Sequence, residues 1–136
     1  MKLVFVDFPI ESLHKFAFKA AEAARCAGEQ GKYWEMHDQL FANQKTLDAW
    51  KTHADAVGLD ATAFESCISS DKHAAAIRKA QALGQGAGVT GTPAFFLAVT
   101  DPATTKVRVL RGLRGAQPFS AFKTQIDALL PARPGA

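Results

Sequence analysis

The chain alternates between strand-like and helix-like hydrophobic patterns, and the helix-like part is the longest. Residues 3–8 form a nearly continuous apolar run that Pro9 ends, which predicts a short strand buried on both faces, as in a parallel sheet. Between residues 12 and 86, apolar side chains recur at helical spacing in successive segments. The pattern therefore predicts an all-helical region that follows the first strand.

Five helices are predicted in this region, and the fourth has the clearest boundaries. Asp60 is suited to its N-cap position, and Leu59 and Phe64 have the spacing of a hydrophobic staple. Asp71 is predicted to cap the fifth helix. The five predicted helices cover approximately residues 12–28, 33–43, 47–57, 60–69 and 71–83.

The region after residue 87 returns to strand patterns. Residues 94–99 and 107–110 are predicted strands, and the dipeptide Asp101-Pro102 between them is typical of a turn, so a hairpin is expected. Pro118 fits the first position of a last amphipathic helix. The order of elements is thus strand, helices, strand, strand and helix.

Length and composition are those of one small domain. The 136 residues, of which 48% are hydrophobic, suffice for one core, and residues 1–136 are predicted to form a single domain with a tail at 131–136. The formal net charge is +3. One basic cluster lacks the aromatic platform of a nucleic-acid site and is predicted to be a solvated face or strand edge, so no nucleic-acid partner is expected. The cluster consists of Lys106, Arg108, Arg111 and Arg114.

Membrane association is not expected from the sequence. No segment approaches the length of a transmembrane helix, and the apolar run after Met1 is too short for the core of a signal peptide. As written, the chain is expected to remain in the cytoplasm. If it is a fragment of an exported precursor, the expected location is the periplasm.

The segment of residues 88–97 combines a glycine-rich turn, a proline and an apolar run. Pro93 has no N–H to donate and pushes Thr92 into an extended conformation, which leaves the backbone of Thr92 free to pair with another chain. A cis bond between them would make this loop a rigid shelf for an extended peptide. The other interpretation is an ordinary trans turn that leads into an edge strand.

Nucleotide and metal cofactors are not predicted. Residues 86–91 match the GxGxxG pattern, but a helix precedes them and a proline and a strand follow, which is the reverse of a dinucleotide site. No metal site is expected, because the histidines have no metal-ligand spacing with one another or with the cysteines. These residues are His14, His37, His53 and His73.

Aromatic residues in the helical region are predicted to be mainly packing residues. Trp34, Phe41 and Trp50 could line a peptide groove, but their helical spacing favours the core. His37, next to Asp38 on an apolar helix face, is likewise interpreted as a packing residue.

Three segments together resemble the DsbA-like thiol-disulfide oxidoreductases. They are residues 4–10 (VFVDFPI), 23–41 (AARCAGEQGKYWEMHDQLF) and 88–97 (GVTGTPAFFL). The resemblance implies an α/β thioredoxin-like fold with an all-helical insertion at about residues 12–86. The thioredoxin-like part would then comprise about residues 1–11 and 87–130.

The resemblance also implies a role for Thr92 and Pro93. In this family the corresponding proline is cis, and the backbone before it holds an extended, cysteine-bearing peptide. The chain departs from the family because it lacks the first strand and the CxxC motif, which lies at a helix N-terminus where a thiolate is stabilised. Cys26 and Cys67 instead fall near predicted helix C-termini, so neither is assigned a catalytic role.

The predicted function is therefore that of a protein related to dithiol-disulfide oxidoreductases without redox activity of its own. The alternative is a non-catalytic peptide-binding or protein-binding module that uses the Thr92–Pro93 loop. Because the absent strand would be central to the sheet, a homodimer or a complementing chain is expected to fill its place.

The two cysteines allow two interpretations. Some relatives have a disulfide within the helical insertion, and the resemblance implies that Cys26 and Cys67 could form one, worth about 4 kcal/mol of stability. The other interpretation is a pair of buried, reduced thiols, which the absence of an export signal favours.

Overall fold

A computed structural model describes residues 1–130 of the chain. Backbone contacts divide the chain into two compact units, Met1–Gly88 and a second unit that begins at Val89. The first unit is helical, and the second contains a β-hairpin and one helix. The predicted tail at residues 131–136 lies outside the described residues.

The helical unit contains the five α-helices that the hydrophobic pattern predicts. A short 3-10 helix at Gln44–Thr46 lies between the second and third, and the third α-helix begins later than predicted. The helices are α1 (Ala17–Glu29), α2 (Tyr33–Ala42), α3 (Trp50–Ala56), α4 (Ala61–Ser69) and α5 (Ala74–Gly86).

The predicted start of α4 is confirmed. The Asp60 side chain accepts a hydrogen bond of 2.7 Å from the Ala63 N–H, which satisfies one of the free donors of the first turn. Leu59 and Phe64, the two staple positions, are both buried. Local side-chain chemistry therefore determines where this helix begins.

The predicted cap of α5 is wrong. The N-cap residue is His73, and Asp71 lies before the helix with φ 51°, in the left-handed region. The Asp71 side chain instead accepts a hydrogen bond of 2.5 Å from Lys19 Nζ, which also lies 2.7 Å from the buried Glu22 carboxylate. The tertiary ion pair with α1 competes successfully with capping.

The predicted strand at residues 3–8 is also wrong. Residues 1–10 form neither helix nor strand, and the side chains of Leu3, Val4 and Val6 are exposed. A strand needs a neighbouring strand for its backbone hydrogen bonds, and none pairs with this segment in residues 1–130. The segment is attached to α5 by a hydrogen bond of 2.8 Å from Gln81 Nε2 to the Pro9 carbonyl.

The core of the helical unit lies between α1, α2, α3 and α4. Three alanines of α1 allow the neighbouring helices to approach closely, and larger apolar side chains of α2 and α4 fill the remaining space. The most buried members of this core are Ala23, Ala24, Cys26, Ala27, Met36, Leu40, Ala54 and Phe64.

Substitution of Gly84 in α5 is expected to destabilise the helical unit. A Cβ atom at Gly84 would lie 2.6 Å from Cδ2 of Phe8, so alanine forces the ring to move. Overpacking of about 1–3 kcal/mol should outweigh the gain of about 1 kcal/mol in helix propensity. Urea unfolding should show that Gly84→Ala is less stable than the wild type.

Gly86→Ala is the matched control, because a Cβ atom there meets nothing within 4 Å. This variant should be as stable as the wild type or more stable by up to about 1 kcal/mol. Equal effects of the two substitutions would contradict a close contact between Phe8 and α5.

The second unit contains the predicted hairpin. Strand β1 (Ala94–Thr100) pairs antiparallel with β2 (Val107–Arg114), with an irregularity between Leu97 and Ala98. Asp101 Oδ1 accepts hydrogen bonds from the N–H groups of Ala103 and Thr104, which closes the predicted turn.

Helix α6 (Phe119–Asp127) follows the hairpin. Pro118 was expected at the first helical position but is the N-cap residue, one position earlier, with φ −64° and ψ 153°. The rings of Phe95 and Phe122 meet edge to face at 4.8 Å, which joins α6 to the sheet. Among the described residues, every helix is too short or too polar to cross a membrane.

Candidate functional sites

The Thr92–Pro93 loop precedes β1 directly. The peptide bond between the two residues is cis, and both residues are exposed. The Pro93 carbonyl accepts a hydrogen bond of 2.8 Å from the Gly115 N–H, which holds the loop to the end of β2. Within residues 1–130, neither the N–H nor the carbonyl of Thr92 makes a hydrogen bond. The backbone of Thr92 is therefore available to an added extended segment.

Cys26 and Cys67 form a disulfide that joins α1 to α4, with their Cα atoms 5.8 Å apart. Both side chains are buried, at 2% and 8% exposure. Each cysteine lies in the last turn of its helix, where the partial negative charge of the helix end disfavours a thiolate. The position favours a structural cross-link over a reactive thiol.

His73 lies beside this disulfide. One nitrogen of its ring and the two sulfur atoms all lie within 4.8 Å of one another. Its Nε2 atom is 2.9 Å from Glu29 Oε1, but the two are not aligned as a hydrogen bond, and Nε2 is buried without a hydrogen-bond partner. Glu29 also lies 2.9 Å from Lys72 Nζ.

Sequence reasoning missed this cluster. Cys26 is far from His73 in the chain, and only the packing of α1, α4 and the start of α5 brings the three side chains together. The short distance in sequence between Cys67 and His73 was the one available signal, and alone it does not identify a ligand set.

A cavity of about 390 Å³ borders the cluster on the side of Glu29 and His73. Asp7, which is buried, lines it and pairs with Arg25: the guanidinium Nε donates a hydrogen bond of 2.7 Å to Asp7 Oδ2. The cavity is lined by Phe5, Asp7, Arg25, Gly28, Glu29, Tyr33 and His73.

Tyr33 is expected to titrate at unusually high pH. Burial disfavours the phenolate and, together with the nearby Asp7 carboxylate, raises the pKa of Tyr33 to about 12, although Arg25 opposes the shift. Because it is the one tyrosine of the chain, the ultraviolet absorbance of tyrosinate reports it directly.

The unfolded chain in urea provides the control, with a tyrosine pKa of about 10. Because the pKa of Tyr33 is higher in the folded state, the folded protein keeps the tyrosine proton to a higher pH than the unfolded chain does. The free energy of unfolding should therefore fall as pH rises from about 10 to about 12. Identical titration curves for folded and unfolded protein would contradict the burial of this hydroxyl.

Exposed aromatic rings surround His37 on α2. The centroid of the His37 ring lies 4.8 Å from the ring centroid of Phe5, 5.2 Å from that of Trp34 and 4.7 Å from that of Phe41. Trp34 and Phe41 are 46% and 59% exposed, so the prediction that they belong to the core is wrong. Met36 and Leu40 form the buried face of α2 instead.

Trp50 and the basic cluster, which the sequence analysis also considered as possible binding residues, lie elsewhere. Trp50 packs against the core, in agreement with the prediction. The four basic residues near and within β2 are exposed, in agreement with a solvated strand. Arg111 and Arg114 line a second, open cavity of about 530 Å³ in the second unit.

Relatives of the chain are found within much longer proteins. The chain is 35% identical over 100 residues to the Na(+)/H(+) antiporter NhaA 3 of Salinispora tropica, a match that covers 71% of this chain and 15% of the antiporter. It is 34% identical over 99 residues to NhaA 1 of Salinispora arenicola, with 71% and 15% covered. A 68-residue match to NhaA 1 of Mycolicibacterium vanbaalenii is 40% identical and covers 48% and 11%. The chain thus spans about 15% of the length of the first two relatives.

No solved structure gives a significant match to this chain.

The match to a protein family covers nearly the whole chain. Residues 3–127 match the family described as DSBA-like thioredoxin domain, which includes both compact units. The helical unit and the β-hairpin with α6 accord with the helical insertion and part of the thioredoxin-like region of that fold. The chain belongs to the DSBA-like thioredoxin domain family, whose characteristic chemistry is thiol-disulfide exchange.

Proposed function

We propose that this chain is a non-catalytic, peptide-binding member of its family. It holds an extended segment of a partner protein against the Thr92–Pro93 loop. The observation that carries the proposal is the exposed Thr92 backbone, whose N–H and carbonyl make no hydrogen bond within residues 1–130. Two such groups form the smallest unit of β-strand addition, in which main-chain hydrogen bonds supply affinity.

The absence of a reactive thiol among these residues supports a binding role. The sequence contains two cysteines and no CxxC motif. Cys26 and Cys67 are paired with each other, buried, and placed at helix ends that disfavour a thiolate. The 136 residues therefore supply a loop that can hold a peptide and no free cysteine thiol to exchange with a disulfide in it.

A fluorescence anisotropy titration tests peptide binding. The probe is a labelled, extended peptide that contains one cysteine, together with the same peptide with serine in its place. Pro93→Ala should weaken binding at least about tenfold, because Thr92 loses the restriction that proline imposes on it. Pro102→Ala is the matched control, since Pro102 lies in the exposed hairpin turn. Equal effects of the two variants would refute the assignment of the loop.

The redox part of the proposal has a separate assay. Reduction of insulin by dithiothreitol should proceed at the same rate with and without the chain, because Cys26 and Cys67, whether bonded or reduced, are buried at helix C-terminal ends that disfavour a reactive thiolate. Acceleration of the reaction by the wild-type chain would show that the protein is a catalyst. Peptide binding could still hold in that case, so the two results are independent.

A second candidate function follows from the relatives. We propose that these residues work as a domain attached to a larger membrane protein, because several Na(+)/H(+) antiporters contain a similar segment within a much longer chain. An antibody against the chain should detect a membrane-bound species much larger than 14.6 kDa in the source cells. A single species of that mass outside the membrane fraction would exclude this candidate.

We also propose that the sheet binds a further strand. In the described part of the chain the sheet has two strands, so each has one edge without a partner. A second copy of the chain is the proposed occupant. Sedimentation equilibrium should show a dimer at micromolar concentration, whereas a monomer throughout that range would exclude self-association.

A further inference from the structure

The Cys26–Cys67 disulfide has a histidine at its side that the cross-link itself does not need. A ring nitrogen of His73 and both sulfur atoms lie within 4.8 Å of one another. The Nε2 atom of His73 is buried and makes no hydrogen bond. Two sulfurs and one imidazole at this separation are a donor set typical of Zn²⁺ once the sulfurs are thiolates.

We propose that Cys26, Cys67 and His73 bind one zinc ion when the disulfide is reduced. In tetrahedral zinc sites, Zn–S and Zn–N bonds of about 2.3 and 2.0 Å place the ligand atoms about 3.3–3.8 Å from one another. The three atoms already lie within 4.8 Å. Side-chain rotations of the reduced cysteines and of His73 would bring the three atoms to these separations.

The site forms in two steps, a reduction and a metal-binding step, and electrons and protons are balanced in each. A dithiol reductant transfers two electrons and two protons to the disulfide, which gives two cysteine thiols and the oxidised, disulfide form of the reductant. Zn²⁺ then replaces the two thiol protons, which pass to solvent, and the neutral imidazole of His73 adds without a proton change. The reductant is a small dithiol or a dithiol protein.

The surroundings of the cluster suit a metal ion. The cavity of about 390 Å³ is lined by Glu29 and His73, so a hydrated ion can reach the imidazole. Glu29 Oε1 lies 2.9 Å from His73 Nε2, so a carboxylate stands beside the imidazole, where its negative charge favours a cation. Burial of Cys26 and Cys67 keeps their sulfur atoms away from competing water.

The zinc ion would take over the mechanical role of the disulfide. Cys26 lies on α1 and Cys67 on α4, and a metal bound to both sulfurs joins the same two helices. His73 adds the start of α5 to this connection. The helical unit would then be cross-linked under oxidising conditions by a covalent bond and under reducing conditions by the metal.

Cobalt provides a direct test with the intact chain. The protein is reduced with dithiothreitol, separated from it without oxygen, and shown by thiol titration to contain two free thiols. Titration with Co²⁺ should give a thiolate-to-cobalt charge-transfer band that saturates at one ion per chain, and Zn²⁺ should displace the cobalt. The oxidised protein, which offers no thiolate, should show no such band.

Two histidine variants complete the test. His73→Ala should weaken metal binding at least about tenfold, because it removes one of three protein ligands. His14→Ala is the matched control, since His14 is exposed and lies outside the cluster. Absence of the cobalt band in the reduced wild type would overturn the proposal whether or not that protein stays folded, because metal binding should itself drive folding. Equal affinities of the two variants would also overturn it.

Discussion

Reduction of the Cys26–Cys67 disulfide is expected to lower the free energy of unfolding by about 4 kcal/mol. The two cysteines are separated by 41 positions, and a cross-link over a loop of this length removes conformational entropy from the unfolded chain. The folded state should change less, because α1 and α4 also pack through Ala23, Ala27 and Phe64. The loss should therefore appear mainly as a lower urea midpoint.

Urea unfolding followed by circular dichroism measures this effect with and without a reductant. A chelator must be present in both samples, so that a metal ion cannot reconnect the two thiols. The double variant Cys26→Ser with Cys67→Ser is the matched control, and its midpoint should not respond to the reductant. An unchanged midpoint in the reduced wild type would contradict a stabilising role for the disulfide.

Phe64→Ala is expected to cost about 3–5 kcal/mol. The Phe64 side chain is 2% exposed and lies in the core between α1, α2, α3 and α4. Its removal loses the transfer free energy of the ring and leaves a cavity that the surrounding helices fill only in part. The substitution also removes one half of the hydrophobic staple at the start of α4.

Phe41→Ala provides the comparison on the same unit. Phe41 is 59% exposed, so this variant should lose less than about 1 kcal/mol. Thermal and urea unfolding of both variants at neutral pH, with the disulfide intact, measure the difference. Similar losses for the two substitutions would contradict the placement of Phe64 in the core and of Phe41 at the surface.

Features that depend on local chemistry could be predicted from the sequence. The N-cap at Asp60 and the turn at Asp101 depend on side chains that bond to backbone within three residues. The five helices and the hairpin follow from hydrophobic period and from the residues that end each element. These determinants lie within one element, so no tertiary information was needed.

Features that depend on distant partners could not be predicted reliably. Residues 3–8 have the composition of a strand, but a strand also needs an edge to pair with. Asp71 has the composition of a cap, but Lys19, which is distant in sequence, binds its carboxylate. In both cases the local preference is real, and a tertiary interaction, or its absence, determines the outcome.

The candidate sites also divide into one that local sequence predicts and one that depends on the packing of distant helices. The exposure of Thr92 and Pro93 follows from a proline directly before a strand, so the sequence identified this loop. The pairing of Cys26 with Cys67 was one of two interpretations, because helix boundaries alone do not give the distance between helices. The place of His73 beside the sulfurs required the packing of three helices, and the short sequence distance from Cys67 to His73 does not by itself indicate it.

The disulfide also changes what a break in the backbone would do to this molecule. Residues 27–66 lie between the two bonded cysteines and include α2, the 3-10 helix with the exposed Lys45, and α3 with the exposed Lys51. If a protease cuts one bond in this region, both fragments remain one covalent molecule for as long as the sulfurs stay bonded. The same cut in the reduced chain releases two separate peptides. The oxidation state of Cys26 and Cys67 therefore determines whether a single cut in this region leaves one covalent molecule or two separate fragments.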